Sequence, residues 1–274
     1  MTHHEAGDPD LERIESIYDA LDRGQPEQAL ELAQGVADAP TDPVLHLLAG
    51  VALLELDRPA EALIDLERAA ELDPEDAEIL GKLALASFLC CRFDAAAGQI
   101  ARALVADDKL PEAHYVQALL RERAGDAVAA ERHYAQAAAL APEAFPPPVR
   151  LDRETFEARL QEAMERLPGE YRRHLDQVVV TVEDLPSDEI LTDGDPPLDP
   201  EGTLGLFVGV SRDRESSLGP GGELPARILL FKKNLERLAL SPAELSEEIA
   251  VTLYHELGHY LGLDEDELAD IDLA

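Results

Sequence analysis

Tryptophan is absent from the sequence, and the aromatic fraction is only 4%. A folded core must therefore be built mainly from aliphatic side chains and alanine, and a hydrophobic fraction of 46% over 274 residues can supply one large or two ordinary domains. Cysteine is almost absent too, since Cys90 and Cys91 are the only two and are neighbours. Adjacent cysteines rarely bridge because the ring is strained, so a disulfide framework is excluded. We expect buried structural thiols in an apolar helix, with a vicinal redox or metal pair as the alternative.

Basic residues and long apolar runs are also scarce. Lysine and arginine number 23 against 58 acidic residues, which gives a formal net charge of −35. Such a surface repels nucleic acid and favours basic peptides, or simply keeps the protein in solution. No run approaches the 18 or more apolar residues of a membrane span, and the first residues lack the basic start and apolar run of a signal peptide. We therefore expect a cytoplasmic protein that binds neither nucleic acid nor membranes.

The first half of the sequence repeats a helical pattern with a period of about 34 residues. Alanines that recur at this period are followed by turn or helix-ending residues, and each preceding helix carries a small residue at a matching position. The recurring residues are Ala29, Ala62, Ala96 and Ala130, with Gly50, Ala84 and Ala118 upstream. Residues 10–142 thus resemble a tetratricopeptide (TPR) array of about four helical hairpins. The resemblance implies an all-α superhelix whose concave face binds a peptide or partner protein, and the alternative is a rigid spacer or cap.

Composition divides the rest of the chain. Residues 1–9 are predicted to be a flexible N-terminus, and 143–151 a proline-rich linker. Residues 152–271 are predicted to form a small α+β domain: an amphipathic helix at 152–167, strands at 177–182, 204–210 and 226–231, and a helix near the end. The acidic, proline-rich stretch 183–201 is expected to be a mobile loop, and His174 a surface residue.

Two histidines near the end of the sequence follow the pattern His-Glu-x-x-His. His255 and His259 are four residues apart in the predicted helix, so they share one face and can bind one metal ion together. Glu256 lies beside that face, where it can take a proton from a bound water. The pattern predicts a hydrolytic site with one Zn²⁺ ion, and a solvated polar helix face is the alternative.

The third ligand is expected just after this helix. Ser241 is the predicted N-cap, and Gly262 permits the positive φ that ends a helix in a sharp turn. Counted as H-E-x-x-H-x-x-G-x-x-(H/D/E), the third-ligand position falls on Glu265. Asp264 and Asp266 flank it, so either could replace it.

Several separated motifs make residues 152–271 similar to the minimal zincin-like metallopeptidases, small bacterial proteins likened to a reduced matrix-metalloproteinase domain. The matching segments are a helix that ends at 167–168, a strand that ends at 182–184, and 204–207, 224–228 and 255–263. The resemblance implies a short mixed sheet and a metal-binding helix, with His255, His259 and Glu265 as ligands. Unlike the larger metzincins, this sequence has no histidine at the third position and no methionine for a Met-turn.

The resulting hypothesis is a zinc metallopeptidase in which Glu256 deprotonates the zinc-bound water and then protonates the leaving amine. An extended substrate could pair with either of two strands, which carry Gly205, Leu206 and Phe207, or Ile228 and Leu229. Tyr254 or Tyr260 could assist the oxyanion, although packing is the alternative role for each. The array would recruit a partner or the substrate.

Two alternatives to this hypothesis stay open. One is a catalytically silent zinc-binding adaptor that acts through its repeats. The other is a purely structural zinc site, which ranks lower because no fourth cysteine or histidine lies near in the sequence.

Overall fold

The computed structural model describes residues 9–34, 42–211, 226–264 and 267–268. The chain divides into two compact units at the Pro146–Pro147 bond. The helices of the first unit are α1 (Pro9–Asp22), α2 (Pro26–Gln34), α3 (Pro43–Glu55), α4 (Pro59–Leu72), α5 (Ala77–Leu89), α6 (Phe93–Ala106), α7 (Pro111–Arg123) and α8 (Ala127–Leu140). Those of the second unit are α9 (Arg153–Arg166), α10 (Gly169–Leu175), α11 (Asp188–Thr192), α12 (Lys232–Leu238) and α13 (Pro242–Leu261). Its strands are β1 (Val179–Glu183), β2 (Gly205–Val208) and β3 (Arg227–Phe231).

Successive helices of the first unit form hairpins, four of them in the described part of the array, as the repeat period predicts. The recurring alanines lie where the two helices of a hairpin meet, and each is at most 1% exposed. Gly50 shows why the matching position of the preceding helix is also small, because a Cβ placed there would lie 2.5 Å from Cγ of Leu66. The resemblance to a TPR array is therefore confirmed at the level of the fold.

Each described hairpin turns through the same backbone motif. The second residue after the first helix of each hairpin has positive φ; these residues are Gly24, Asp57, Cys91 and Gly125. Its N–H bonds to the carbonyl three residues back, and the next N–H bonds to the carbonyl five back, as at Cys91–Phe88 (2.9 Å) and Arg92–Ser87 (2.8 Å). This pair of bonds is the Schellman motif, which satisfies the carbonyls at a helix end.

The expected position of the cysteines is wrong. Cys90 caps the end of α5 and Cys91 occupies the left-handed turn position with φ 57°, so neither lies inside a helix. Both are half-buried rather than buried. Burial still raises the pKa of the Cys90 thiol.

The described strands of the second unit form a short mixed sheet in the order β1-β3-β2. β1 runs parallel to β3, with Val180 opposite Ile228, and β2 runs antiparallel, with Leu206 opposite Leu229. The long helix α13 packs against β2, β3 and α9. Phe156 of α9 and the apolar side of α13 are buried in one core with the inner face of the sheet. The predicted α+β architecture is thus confirmed.

Helix α12 was not predicted and carries a buried acid. Glu236 is 1% exposed, and its carboxylate accepts hydrogen bonds from Leu151 N (2.9 Å) and Arg150 Nη1 (3.0 Å) and pairs with Lys232. A buried carboxylate needs such partners to offset the loss of its hydration. Residues 149–151, which the sequence assigns to the linker, are therefore held against the second unit.

The expectation of a mobile loop at 183–201 is wrong. Part of this stretch is helix α11, and its Leu191 is fully buried. Leu198 N donates to Leu191 O (2.9 Å), and Asn234 Nδ2 donates to Pro200 O (3.1 Å). One buried leucine and a few bonds to backbone carbonyls are enough to anchor a segment that composition marks as polar.

Candidate functional site

Helix α13 begins and ends where the sequence predicts. Ser241 Oγ accepts a hydrogen bond from Glu244 N (3.2 Å), and Pro242 occupies the first helical position, where no N–H is needed. At the other end, Gly262 has φ 92°, and its N–H donates to His259 O (3.1 Å). These two ends bound a 20-residue helix that contains the whole His-Glu-x-x-His motif.

The histidines of the motif meet on this helix. Their Nε2 atoms are 3.0 Å apart, and the rings are perpendicular, with centroids 4.6 Å apart. Nδ1 of His259 lies 3.4 Å from Leu263 O; a carbonyl only accepts, so this contact leaves the lone pair on Nε2. Imidazole nitrogens that share a tetrahedral zinc at 2.0–2.1 Å are about 3.3 Å apart. The pair therefore fits one zinc ion with little adjustment.

The three candidates for the third ligand directly follow the turn at Gly262. Glu265 and Asp266 lie outside the described residues. Asp264 is described, and its Oδ1 accepts a hydrogen bond from Glu267 N (2.9 Å), while Glu267 Oε2 accepts one from Asp264 N (3.1 Å). Asp264 and Glu267 thus bond to each other in the manner of a capping box. Within the described part of the chain, no third acidic, histidine or cysteine side chain completes a metal-binding cluster.

Glu256 is buried beside the imidazoles and under the sheet. It is 7% exposed, and its neighbour one turn earlier, Thr252, is 6% exposed. The backbone of Gly205 in β2 covers both: a Cβ at Gly205 would lie 2.7 Å from Thr252 Cγ2 and 3.2 Å from Glu256 Oε1. Glycine is therefore required at 205, because any side chain there would displace the carboxylate or the strand.

The sheet offers one edge near this carboxylate. β3 is paired on both sides, by β1 and β2, so Ile228 and Leu229 have no free edge for a substrate, and that alternative is excluded. The outer edge of β2 has no partner among the described strands. Phe231 N bonds to Leu204 O (2.8 Å), and bonded pairs alternate in an antiparallel ladder. The outward N–H and C=O groups therefore belong to Gly205 and Phe207.

A cavity of about 500 Å³ adjoins the end of this edge. It is lined by Phe207 and by the residues that follow β2, and on the helix side by His259 and the turn after Gly262. Its walls combine apolar groups with the polar side chains of Ser211 and Asp264. The cavity thus lies between the outer strand and one of the imidazoles.

The tyrosines near the motif are used for packing. Tyr254 donates its hydroxyl proton to Ala163 O (2.9 Å). Tyr260 is 1% exposed and donates to Gln177 Oε1 (3.0 Å). These bonds favour the packing role that the sequence left open for both. His174, expected at the surface, is instead 6% exposed at the end of α10, because that short helix folds back onto α9.

Two contacts at this site were not predicted from the sequence. Asn234 of α12 is 1% exposed and donates to Thr203 O (2.6 Å), which holds the approach to β2. Leu268 is 4% exposed and lies against Gly258. A glycine inside the His-Glu-x-x-His helix was a signal for the second contact, since glycine costs helix stability unless a neighbour needs the space.

Comparison with known families agrees with this geometry. Residues 175–274 match the family model of the zincin-like metallopeptidases. Over these residues the C-terminal domain is similar to that family. The match includes α13 and the sheet, and it confirms the resemblance predicted from the motifs. None of the curated proteins matches the chain.

Solved structures of helical-repeat proteins match about half of the chain. A thermophilic TPR protein from Thermus thermophilus is 24% identical with a TM-score of 0.44, over 51% of this chain and 77% of that one. YrrB, described as a TPR protein with an unusual peptide-binding site, is 20% identical with a TM-score of 0.41, over 48% and 68%. MamA is 22% identical with a TM-score of 0.40, over 45% and 73%. None of the described helices is long and apolar enough to cross a membrane.

Proposed function

We propose that this protein is a zinc-dependent metallopeptidase. The observation that carries the proposal is the joint placement of His255, His259 and Glu256: Nε2 atoms 3.0 Å apart on one helix face, with a buried carboxylate beside them under a sheet edge. The family match supports a peptidase-like domain. Zn²⁺, when bound, lowers the pKa of a water to about 7 and polarises a carbonyl.

His255 and His259 would hold the ion, and Glu265 is proposed as the third protein ligand. Asp264 is the weaker candidate, because one of its oxygens already accepts the Glu267 N–H. Two neutral imidazoles and one carboxylate leave a net positive charge on the ion, and a carboxylate third ligand is a known solution for catalytic zinc.

Glu256 is proposed as the general base. It takes the proton of the attacking water and then gives it to the leaving amine. Its burial restricts the carboxylate to the space between the helix and β2, beside the imidazoles that would hold the ion and its water.

The substrate is proposed to be an extended peptide that pairs with the outer edge of β2. The outward N–H and C=O groups of Gly205 and Phe207 would bond to its backbone, while Leu206 points its own groups to β3. Backbone pairing gives affinity with little sequence selectivity. The cavity beside His259 would receive one substrate side chain.

The test is the variant Glu256→Gln, with Glu247→Gln as the matched control. Glu247 is an exposed acid on the same helix, so its change removes the same charge away from the site. We expect Glu256→Gln to retain one zinc per chain and to lose cleavage of a mixed peptide library by at least about 100-fold, the range of general-base catalysis. Unchanged cleavage in this variant, with Glu247→Gln as a reference, would refute the proposed role.

We further propose that the repeat array recruits a partner or the substrate. The first helices of neighbouring hairpins contact one another and form one face. Tyr18 of α1 lies on it; burial raises the pKa of its phenol, and the carboxylates of Glu78 and Asp76 two hairpins later raise it further. Leu11 on the same helix is 59% exposed. This face joins apolar and acidic groups, which suits a peptide with apolar and basic residues.

The adaptor is the second candidate, and it makes a different prediction. An adaptor would bind zinc and retain a partner through residues 10–142 without cleaving any peptide. A pull-down with the intact chain and with Leu11→Asp, beside the cleavage assay, separates the two: a partner that is lost in Leu11→Asp, with no cleavage by either form, would favour the adaptor.

A further inference from the structure

A glycine lies inside the metal-binding helix at a point of very close contact. An ideal Cβ at Gly258 would lie 2.1 Å from Cδ2 of Leu268 and 3.3 Å from its Cγ, and the first of these distances is one that real side chains do not adopt. Leu268 is 4% exposed, so its side chain is packed into the space that the missing Cβ leaves. Glycine at 258 therefore serves the packing of Leu268.

Backbone hydrogen bonds hold the chain just after the helix end and again at Leu268. Leu263 N donates to Gly258 O (3.1 Å), which with the Gly262 bond completes a Schellman motif at the end of α13. Leu268 N donates to Asp264 O (2.9 Å), and Asp264 and Glu267 cap each other. We call the three described residues Asp264, Glu267 and Leu268 the acidic turn: Asp264 follows the helix end, and the Leu268 N–H bonds back to the Asp264 carbonyl.

The position of Gly258 on the helix relates this turn to the imidazoles. At about 100° per residue, Gly258 lies about 60° from His255, on the side away from His259, and Glu256 lies about 60° beyond His259 on the opposite side. β2 covers the Glu256 side through Gly205. Leu268 therefore bounds the imidazole face on one flank, and the sheet bounds it on the other.

We infer that Leu268 is a positioning residue for metal binding. Its side chain, packed on Gly258, fastens the acidic turn to the flank of the helix that carries the histidines. The role of Leu268 in metal binding rests on the proposed function, whereas the contact between Leu268 and Gly258 does not depend on it. Loss of the contact frees the turn and weakens zinc binding about tenfold, the lower range for loss of support around metal ligands.

A double-mutant cycle at Gly258 and Leu268 tests the inference, with zinc affinity measured by competition against a chromophoric chelator. Leu268→Ala and Gly258→Ala are each expected to weaken zinc binding about tenfold, the first by removing the packed side chain and the second by displacing it. In the double variant the new methyl group occupies the space that leucine leaves, so Gly258→Ala adds no further loss. Leu268→Met, which keeps the volume, is expected to bind zinc within about twofold of the wild type.

The control is Leu245→Ala, near the start of the same helix. Leu245 is 0% exposed in the same core, so this variant lowers the unfolding midpoint while the folded protein keeps its zinc affinity. Equal effects of Leu245→Ala and Leu268→Ala on zinc affinity, or strictly additive effects in the cycle, would overturn the inference.

Amide hydrogen exchange in the metal-free protein separates this inference from the proposed function. The Leu268 amide is expected to lose at least about tenfold of its protection in Leu268→Ala and in Gly258→Ala, while the amide of Leu253 in mid-helix keeps its own. If the wild type binds no zinc, the proposed function fails, and hydrogen exchange still shows whether the packing of Leu268 on Gly258 holds the acidic turn. Unchanged Leu268 protection in both variants would overturn the inference even in a protein that cleaves peptides.

Discussion

Gly205→Ala is the substitution that tests the candidate site most directly. The added methyl group would lie 2.7 Å from Cγ2 of Thr252 and 3.0 Å from Cγ of Glu256. Contacts of this length force either the strand or the carboxylate to move. Because both helix side chains are buried, neither can turn away into solvent.

The size of the effect follows from this geometry. Extra methyl groups in a packed core cost about 1–3 kcal/mol of unfolding free energy. About 130 residues follow the Pro146–Pro147 bond, and at about 2.1 cal/mol/K of unfolding entropy per residue, 1 kcal/mol lowers Tm by about 4 °C. We expect a loss of about 4–11 °C. A shift of the carboxylate by about 1 Å would reduce the cleavage rate about 100-fold.

The assay compares Gly205→Ala with Gly169→Ala, because no atom lies within 4 Å of a Cβ at Gly169. Calorimetry, zinc content and peptide cleavage are measured on both variants. Gly205→Ala should keep its zinc, since the imidazoles lie away from the new methyl group. Adding Thr252→Ser removes the shortest contact and should restore part of the stability but little of the rate. If Gly205→Ala cleaves peptides as fast as Gly169→Ala, β2 does not hold the Glu256 carboxylate in place.

Three further predictions concern the rest of the molecule. Glu236→Ala should cost about 3 kcal/mol in urea unfolding, because it leaves the partly buried Arg150 and Lys232 without their carboxylate and the Leu151 N–H without its acceptor, and it should expose the Leu151 amide to exchange. The pKa of His133 is lowered from 6.5 to about 4 by burial and by the nearby His114, Arg132 and Arg121. Between these two pH values His133 is therefore protonated in the unfolded chain but not in the folded one. Stability should therefore fall as the pH is lowered through this window, and His133→Gln should flatten that part of the profile. Cys91→Gly should stabilise the array by about 0.5–1 kcal/mol in thermal unfolding, whereas Gly125→Ala should destabilise it by about 1–2 kcal/mol, because both positions have positive φ.

Local signals gave the most reliable predictions from the sequence. The N-cap at Ser241 and the positive φ at Gly262 depend only on residues within one turn, and both are confirmed. The hairpin period is equally local, because each repeat contacts its neighbours in sequence. Even Cys91 was within reach, since it lies 34 residues from both Asp57 and Gly125, and the period rather than the residue type marks it as a turn.

Long-range contacts were beyond the sequence. Whether β3 or β2 lies at the edge of the sheet depends on which strands pair, and no residue type in either strand indicates the strand order. The burial of Glu236 likewise depends on partners that a distant segment supplies, at Arg150 and Leu151. Average polarity therefore predicted the wrong structure for residues 149–151 of the linker and for the 183–201 stretch, because a few specific hydrogen bonds and buried side chains hold these polar segments in place.

Substitution of Gly205 in β2 and of Gly258 inside the motif should have different consequences, and this difference separates two functions of the helix. Gly205 lets the sheet approach Glu256, whereas Gly258 lets Leu268 approach the side of His255. A methyl group at the first position disturbs the base but spares the metal ligands, and one at the second loosens the turn that follows them. Zinc retained without cleavage in Gly205→Ala, and zinc weakened in Gly258→Ala, would show that the sheet and the acidic turn support separate functions on one helix. Loss of zinc as well as cleavage in Gly205→Ala would mean that the helix itself, rather than its sheet-facing flank, had been disrupted.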